Sequence, residues 1–140
     1  MYGAWHFIHG HSGAVEDMQT VGSLERKGWG LSFWQRANTE NWLHYAVPSN
    51  SLYGWRVDHL HLKFTAGEYA KVSEIHLWDG NIRIWEQSVN FTGGELDMMI
   101  ELGAEFEITR ALGVSIKVEA SEGGDGLFVF HAVGANFRQL

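Results

Sequence analysis

The chain has 140 residues, with 17 acidic and 10 basic side chains, a formal net charge of −7 and no cysteine. This length suits a single domain spanning residues 1–140, and the absence of thiols excludes disulfides, thiol catalysis and thiolate metal sites. The acidic balance makes nucleic acid and anionic membrane surfaces poor partners. No segment approaches the ~20 apolar residues of a membrane span, and no secretory signal is recognisable, so the sequence predicts a soluble, cytoplasmic protein.

Short alternating segments, separated by clusters of glycine, asparagine and aspartate, run along the whole chain. Glycine occurs 17 times and proline once, which is typical of a β domain with many turns. The segment 95–102 has some apolar residues at helical spacing and fits either a short helix or a turn. The predicted strands cover residues 4–9, 30–34, 42–47, 55–64, 69–78, 81–86, 106–109, 113–120 and 127–133.

This succession of short strands without alternating helices predicts an all-β fold. It favours an antiparallel β-sandwich or a jelly-roll-like barrel with at most one short helix. The segment 127–133 is apolar on both faces, which indicates a central strand.

A two-residue turn is predicted at Asp79-Gly80, between two alternating apolar runs. An Asp-Gly pair in this context is a strong hairpin signal, because both turn positions favour a positive φ. The resulting register would place Leu77 opposite Ile82, and Ile75 opposite Ile84. One face of this hairpin would then be aliphatic and would face the core.

Several short segments, which follow one another in order along nearly the whole chain, resemble those of a known family. They are Trp5 with His9-Gly10, Gly28-Trp29-Gly30, 41–48, 75–80, 111–116 and 132–137. In these segments the sequence resembles a family of small, uncharacterised bacterial β-sandwich proteins of unknown function. The resemblance implies a one-domain β fold, and it implies no activity and no functional residue.

Aromatic and polar side chains share the face of the middle strands that lies opposite the aliphatic one. Aromatic rings that can stack, together with a few fixed polar groups, suit a sugar or a flat ring. The sequence therefore predicts a small-molecule or glycan site on this face. The same rings could instead form a second packed layer or the contact of a homo-oligomer, because Trp and Tyr are common at interfaces. The predicted ligand-binding residues are Trp42, His44, Glu74, His76, Trp78, Arg83 and Trp85.

Histidines also suggest a metal site in the middle of the chain. A hairpin through residues 65–68 would bring His59 and His61 beside His76, and zinc accepts such nitrogen ligands. Glu74 would be an alternative third ligand. Histidines that are simply exposed or hydrogen-bonded on a half-buried sheet are the more frequent arrangement, so the sequence favours no cofactor and keeps zinc as an alternative.

Among the candidate functions, the sequence favours a carbohydrate- or small-ligand-binding module first. A homo-oligomeric interaction protein comes second, and a His-based enzyme, with or without a metal, comes third. The sequence has no phosphate-binding glycine loop, no Gly-x-Ser-x-Gly segment, no His-Glu-x-x-His segment and no dinucleotide fingerprint.

Overall fold

The structure is a computed structural model of the chain and describes residues 2–48 and 55–139. Within these residues the chain forms strands joined by tight turns, and two single-turn 3₁₀ helices, Gly10–Ser12 and Met18–Thr20. The strands are β1 Tyr2–His9, β2 Ala14–Val15, β3 Val21–Lys27, β4 Gly30–Gln35, β5 Thr39–Ala46, β6 Trp55–Ala66, β7 Ala70–Asp79, β8 Ile82–Phe91, β9 Gly94–Glu107, β10 Leu112–Ala120 and β11 Gly126–Gln139.

These strands form two antiparallel sheets packed face to face. The six-stranded sheet has the order β3-β4-β11-β6-β9, with β1 also paired to β11, and the five-stranded sheet has the order β2-β5-β10-β7-β8. The all-β sandwich prediction is confirmed, and the described residues contain no α-helix. Among them, no helix is long and apolar enough to cross a membrane.

The core lies between the sheets and is built by alternation along each strand. Inward-facing residues are aliphatic or aromatic, and removing this apolar surface from water is the main stabilising contribution. The largest buried side chains include Phe33, Phe64, Phe128, Phe130 and Phe137 from the six-stranded sheet and Leu43, Tyr45, Ile75 and Leu77 from the five-stranded sheet. The central position predicted for 127–133 is confirmed, because β11 has paired strands on both sides.

Two predictions about individual elements are wrong, and one strand was not predicted. The segment 95–102 belongs to the long edge strand β9 and forms neither a helix nor a turn. The segment 21–27, for which no strand was predicted, forms β3. The hairpin through 65–68 does not exist, because β6 pairs with β9 and β11 whereas β7 lies in the other sheet. The connection between β6 and β7 therefore crosses from one sheet to the other.

The register predicted at Asp79-Gly80 is also wrong. Asp79 is the last residue of β7 and pairs with Ile82, so Gly80 and Asn81 form the turn. Gly80 has φ 60°, which suits the first central position of a type II′ turn. An irregularity then shifts the ladder, and Leu77 lies opposite Trp85 instead of Ile82.

Candidate functional site

A row of polar side chains crosses the outer face of the five-stranded sheet. His44 on β5 lies opposite Ser115 on β10, and Ser115 lies opposite His76 on β7. His76 in turn lies opposite Glu86 on β8. Directly opposed residues on neighbouring strands share a face of the sheet, so four strands contribute to one surface.

Two tryptophan rings flank His76 on this surface. The ring centroid of Trp42 lies 4.5 Å from that of His76, and the centroid of Trp78 lies 6.4 Å from it. His76 is only 7% exposed, whereas both tryptophans are partly exposed. The rings border an open cleft of about 250 Å³, which we call the tryptophan cleft. It is lined by Glu16, Trp42, His44, His76, Trp78, Arg83 and Ser115.

Most of the side chains predicted to bind a ligand are brought together here. Glu74 lies beside the cleft and is hydrogen-bonded to Nε2 of His76. The residues of the predicted set that line the cleft are Trp42, His44, His76, Trp78 and Arg83.

Trp85 is the exception, because it lies on the opposite face of β8. It pairs with Leu77, packs against the hydrophobic core and donates a hydrogen bond from Nε1 to the Leu102 carbonyl at 3.1 Å. Its placement on the ligand face was therefore wrong. Arg83 pairs with Trp78, but the ladder shifts by one residue before Trp85 pairs with Leu77. Because side chains alternate with a period of two, this shift places Trp85 on the face opposite to that of Arg83.

The predicted histidine triad is not brought together. His59 and His61 lie on β6 in the six-stranded sheet, whereas His76 lies on β7 in the five-stranded sheet. His59 Nδ1 lies 2.9 Å from the Asp58 carboxylate, and His61 pairs with Asp97. The hydrogen bond from His61 is the main reason why the pKa of Asp97 is lowered.

His44 is held from both sides within the tryptophan cleft. Its Nδ1 lies 2.7 Å from Oγ of Ser115, and its Nε2 lies 3.0 Å from Oε1 of Glu16. Neither partner was predicted from the sequence. Ser115 alternates with Val114 and Ile116 on a predicted strand, so its outward direction was available from the pattern. Glu16 reaches His44 through the pairing of β2 with β5, which the sequence does not indicate.

The series Ser115–His44–Glu16 has the residue types of a nucleophile, a base and an acid. An acyl-transfer site also needs donors aimed at the developing oxyanion. Ser115 lies in the middle of β10, which is paired on both sides by β5 and β7. These ladders engage the backbone N–H groups around Ser115, so the arrangement is better suited to fixing the His44 ring than to covalent catalysis.

A second group of rings lies on the outer face of the six-stranded sheet. Trp5 and Phe7 stack with ring centroids 5.6 Å apart, and both contact His61 edge-on. Trp5 is 37% exposed and Phe7 is 47% exposed. A cleft of about 590 Å³ on this sheet is lined by Lys63, Phe64, Thr65, Glu95, Leu96, Asp97 and His131. This face is more charged than the tryptophan cleft and offers a natural comparison for it.

Comparison with known proteins places the fold. No protein-family model and no curated protein matches the sequence, so the resemblance to the uncharacterised bacterial family stays a prediction. Solved structures do match. A family 29 carbohydrate-binding module complexed with cellulohexaose aligns with a TM-score of 0.58 and 10% identity, over 95% of this chain and 91% of that one.

Two further structures show the same likeness. A mutant of a family 29 carbohydrate-binding module aligns with a TM-score of 0.59 and 11% identity, over 96% of this chain and 92% of that one. A family 36 carbohydrate-binding module in complex with calcium and xylotriose gives 0.50 and 12%, over 91% and 96%. At such identities the likeness concerns the fold alone: this chain and the matched structures share a β-sandwich fold.

Proposed function

We propose that the protein is a carbohydrate-binding module whose glycan site is the tryptophan cleft. The observation that carries this proposal is the pair of partly exposed rings, Trp42 and Trp78, on either side of the buried imidazole of His76. Rings on an open sheet face can stack on the C–H faces of sugars, and the adjoining polar groups can bind hydroxyls.

The polar groups of the cleft fit a ligand that is rich in hydroxyls. Ser115 and Glu16 fix the His44 ring, so little side-chain freedom is left to be lost when a ligand binds there. Arg83 lies at the rim, with Nη1 3.7 Å from the Glu86 carboxylate. The cleft is smaller than the ~300–1,000 Å³ of most drug-sized pockets, which suits contact with a short stretch of a longer glycan.

The fold supports the same class of ligand. Two of the matched carbohydrate-binding modules are in complex with an oligosaccharide, cellulohexaose in one and xylotriose in the other. These two oligosaccharides are therefore the first probes to test, since neither the cleft nor the fold distinguishes one neutral glycan from another.

The decisive experiment compares tryptophan substitutions on the two sheets. We expect Trp78→Ala to weaken binding of the oligosaccharide by at least about tenfold, or about 1.4 kcal/mol, because one stacking surface is lost. Trp42→Ala should act similarly. The matched control is Trp5→Ala, which removes a partly exposed ring from the opposite sheet and should leave the affinity unchanged. Calorimetry gives the affinities, and circular dichroism verifies that each variant is folded.

Two outcomes would contradict this assignment. Binding that is lost in Trp5→Ala and kept in Trp78→Ala would move the site to the six-stranded sheet. Absence of binding to a broad oligosaccharide panel would count against glycan recognition altogether. Light scattering on the same samples tests the remaining role of the rings: a dimer that dissociates on Trp78→Ala would make this face a contact between copies.

A further inference from the structure

Two carboxylates converge on His76 next to the tryptophan cleft. Nε2 of His76 is hydrogen-bonded to Oε2 of Glu74 and lies 3.5 Å from Oε2 of Glu86. The three side chains each offer one ligand atom, and these atoms all lie within 4.8 Å of one another. The sequence-based histidine triad had included His76 but neither His59 nor His61 is near it.

The backbone holds these donors in place before any ion binds. Glu74 and His76 are two residues apart on β7 and project from the same face, while Glu86 lies opposite His76 on the neighbouring strand β8. The ring of His76 is nearly buried and packs against Trp42. A donor set on two paired strands is more rigid than one on loops, which favours metal binding.

Negatively charged side chains outnumber positively charged ones in this group. Two carboxylates meet one imidazole, and the guanidinium of Arg83 lies 3.7 Å from Glu86. Lys117, opposite Glu74 in the ladder, pairs with Glu40 at 3.3 Å instead. A bound divalent cation would therefore compensate the negative charge of the two close carboxylates.

We propose that Glu74, His76 and Glu86 form a binding site for a divalent transition-metal cation, with Zn²⁺ as the probe of choice. Zinc accepts one imidazole nitrogen and two carboxylate oxygens, and three protein ligands leave a coordination position for water or another oxygen. An imidazole ligand favours such metals over Mg²⁺ and Ca²⁺, which prefer oxygen ligands alone. This proposal does not depend on glycan binding.

The test uses the 140-residue chain without an affinity tag, stripped with a chelator and titrated with ZnCl₂ by calorimetry. We expect one Zn²⁺ per chain and a higher melting temperature with the metal. Glu86→Gln, an exposed position, should weaken Zn²⁺ binding at least about tenfold, since even outer-shell partners of metal ligands contribute about 10–100-fold. Glu74→Gln should do the same. The control Glu122→Gln changes an exposed carboxylate in the β10–β11 turn and should leave the affinity unchanged.

A second variant separates this site from the other histidine–carboxylate pairs. His61→Asn removes the pair with Asp97 on the six-stranded sheet and should not alter Zn²⁺ binding. Loss of binding in His61→Asn with retention in Glu86→Gln would overturn the proposal, as would the absence of Zn²⁺ binding by the unsubstituted protein. Co²⁺ substitution adds a spectroscopic readout, because its visible absorption bands report whether Glu86→Gln changes the coordination. All these measurements are made without glycan, so failure of either proposal can be distinguished from failure of the other.

Discussion

The phenol of Tyr45 joins the first 3₁₀ turn to the core. Its hydroxyl donates a hydrogen bond to the Gly10 carbonyl at 2.7 Å, and burial strongly raises the pKa of Tyr45. Gly10 itself lies so close to β11 that an added Cβ would be 1.8 Å from the Phe130 carbonyl oxygen. Only glycine fits there. The Tyr45 hydrogen bond and the absence of a side chain at Gly10 together fix the path of the chain after β1.

We expect Tyr45→Phe to lower the free energy of unfolding by about 0.5–1.5 kcal/mol, the usual net contribution of a neutral hydrogen bond. Gly10 keeps a second hydrogen bond from the Gly13 N–H at 3.2 Å, which limits the loss. Urea denaturation near neutral pH measures the difference. The matched control is Tyr69→Phe, which removes the hydroxyl of a half-exposed ring and should change stability by less than about 0.5 kcal/mol. Equal losses in the two variants would contradict this role for Tyr45.

At the scale of elements, the Asp79 carboxylate links the β7–β8 turn to the β9–β10 connection. It accepts hydrogen bonds from the N–H and hydroxyl of Thr109 at 3.0 and 2.9 Å. It also accepts from the N–H groups of Arg110 and Ala111 at 2.8 and 3.2 Å. Burial would raise the pKa of Asp79, but these hydrogen bonds outweigh it, and the pKa is lowered.

A lowered pKa in the folded state makes this contribution depend on pH in a definite direction. The stabilisation is fully present above the unfolded pKa of about 3.9 and is lost as the pH falls through the folded value. We expect Asp79→Asn to lower the free energy of unfolding by about 1.5–3 kcal/mol near neutral pH, the range for hydrogen bonds to a charged group. The gap between the two proteins should shrink below about pH 4.

Urea denaturation at neutral and at acid pH measures this gap directly. Glu122→Gln is the control, since it removes an exposed carboxylate and should show a small, pH-independent difference. A difference in the free energy of unfolding that is equally large at acid pH would show that the contribution of Asp79 does not depend on its charge.

The strands that the sequence located are those whose alternation is unambiguous. On β10, Val114, Ile116 and Val118 face the core and the residues between them do not, so the period of two is plain. β3 carries only two apolar residues, Val21 and Leu24, in an otherwise exposed strand, so its sequence has little signal. Its position comes from pairing with β4.

β9 was misinterpreted because two periods compete within it. Leu96, Met99 and Ile100 have helical spacing, but Leu96, Met98 and Ile100 also alternate with a period of two. The structure follows the second pattern: Met98 packs towards the core, whereas Met99 is 61% exposed. Pairing of this segment with β6 decides between the periods, and that contact is not local in sequence.

The candidate site was partly predictable for the same reason. Alternation within single strands correctly grouped Trp42 with His44 and His76 with Trp78. Trp85 was misplaced because the ladder shift inserts one residue, and a shift of one residue exchanges the faces of a strand. His59 and His61 were predicted to lie beside His76 because the turn after β6 resembles a hairpin. In the structure this turn crosses to the other sheet, because β6 pairs with β9 and β11, which are distant in sequence.

At the scale of the whole molecule, the two sheets present different outer faces. The five-stranded sheet offers two tryptophans around paired polar groups, while the six-stranded sheet adds exposed Trp5 and Phe7 to a more charged surface. The core separates these faces, so substitutions on one should be additive with substitutions on the other. This separation is what makes Trp5→Ala an adequate control for the tryptophan cleft.

The charge of the molecule gives a further test of the ligand. The chain carries a formal net charge of −7, and the cationic side chain that lines the cleft, Arg83, lies beside the Glu86 carboxylate. A neutral oligosaccharide should therefore bind with an affinity that changes less than about twofold between about 50 and about 500 mM NaCl, because no long-range attraction is screened.

An acidic polysaccharide would behave differently at this site. Its approach to a negatively charged protein is repelled at low ionic strength, and any favourable contact would depend on displacing Glu86 from Arg83. Affinity that rises or falls steeply with salt would thus contradict a neutral ligand. In that case Arg83→Gln should remove the salt dependence if Arg83 binds the anionic group, whereas Trp78→Ala should weaken binding equally at both salt concentrations.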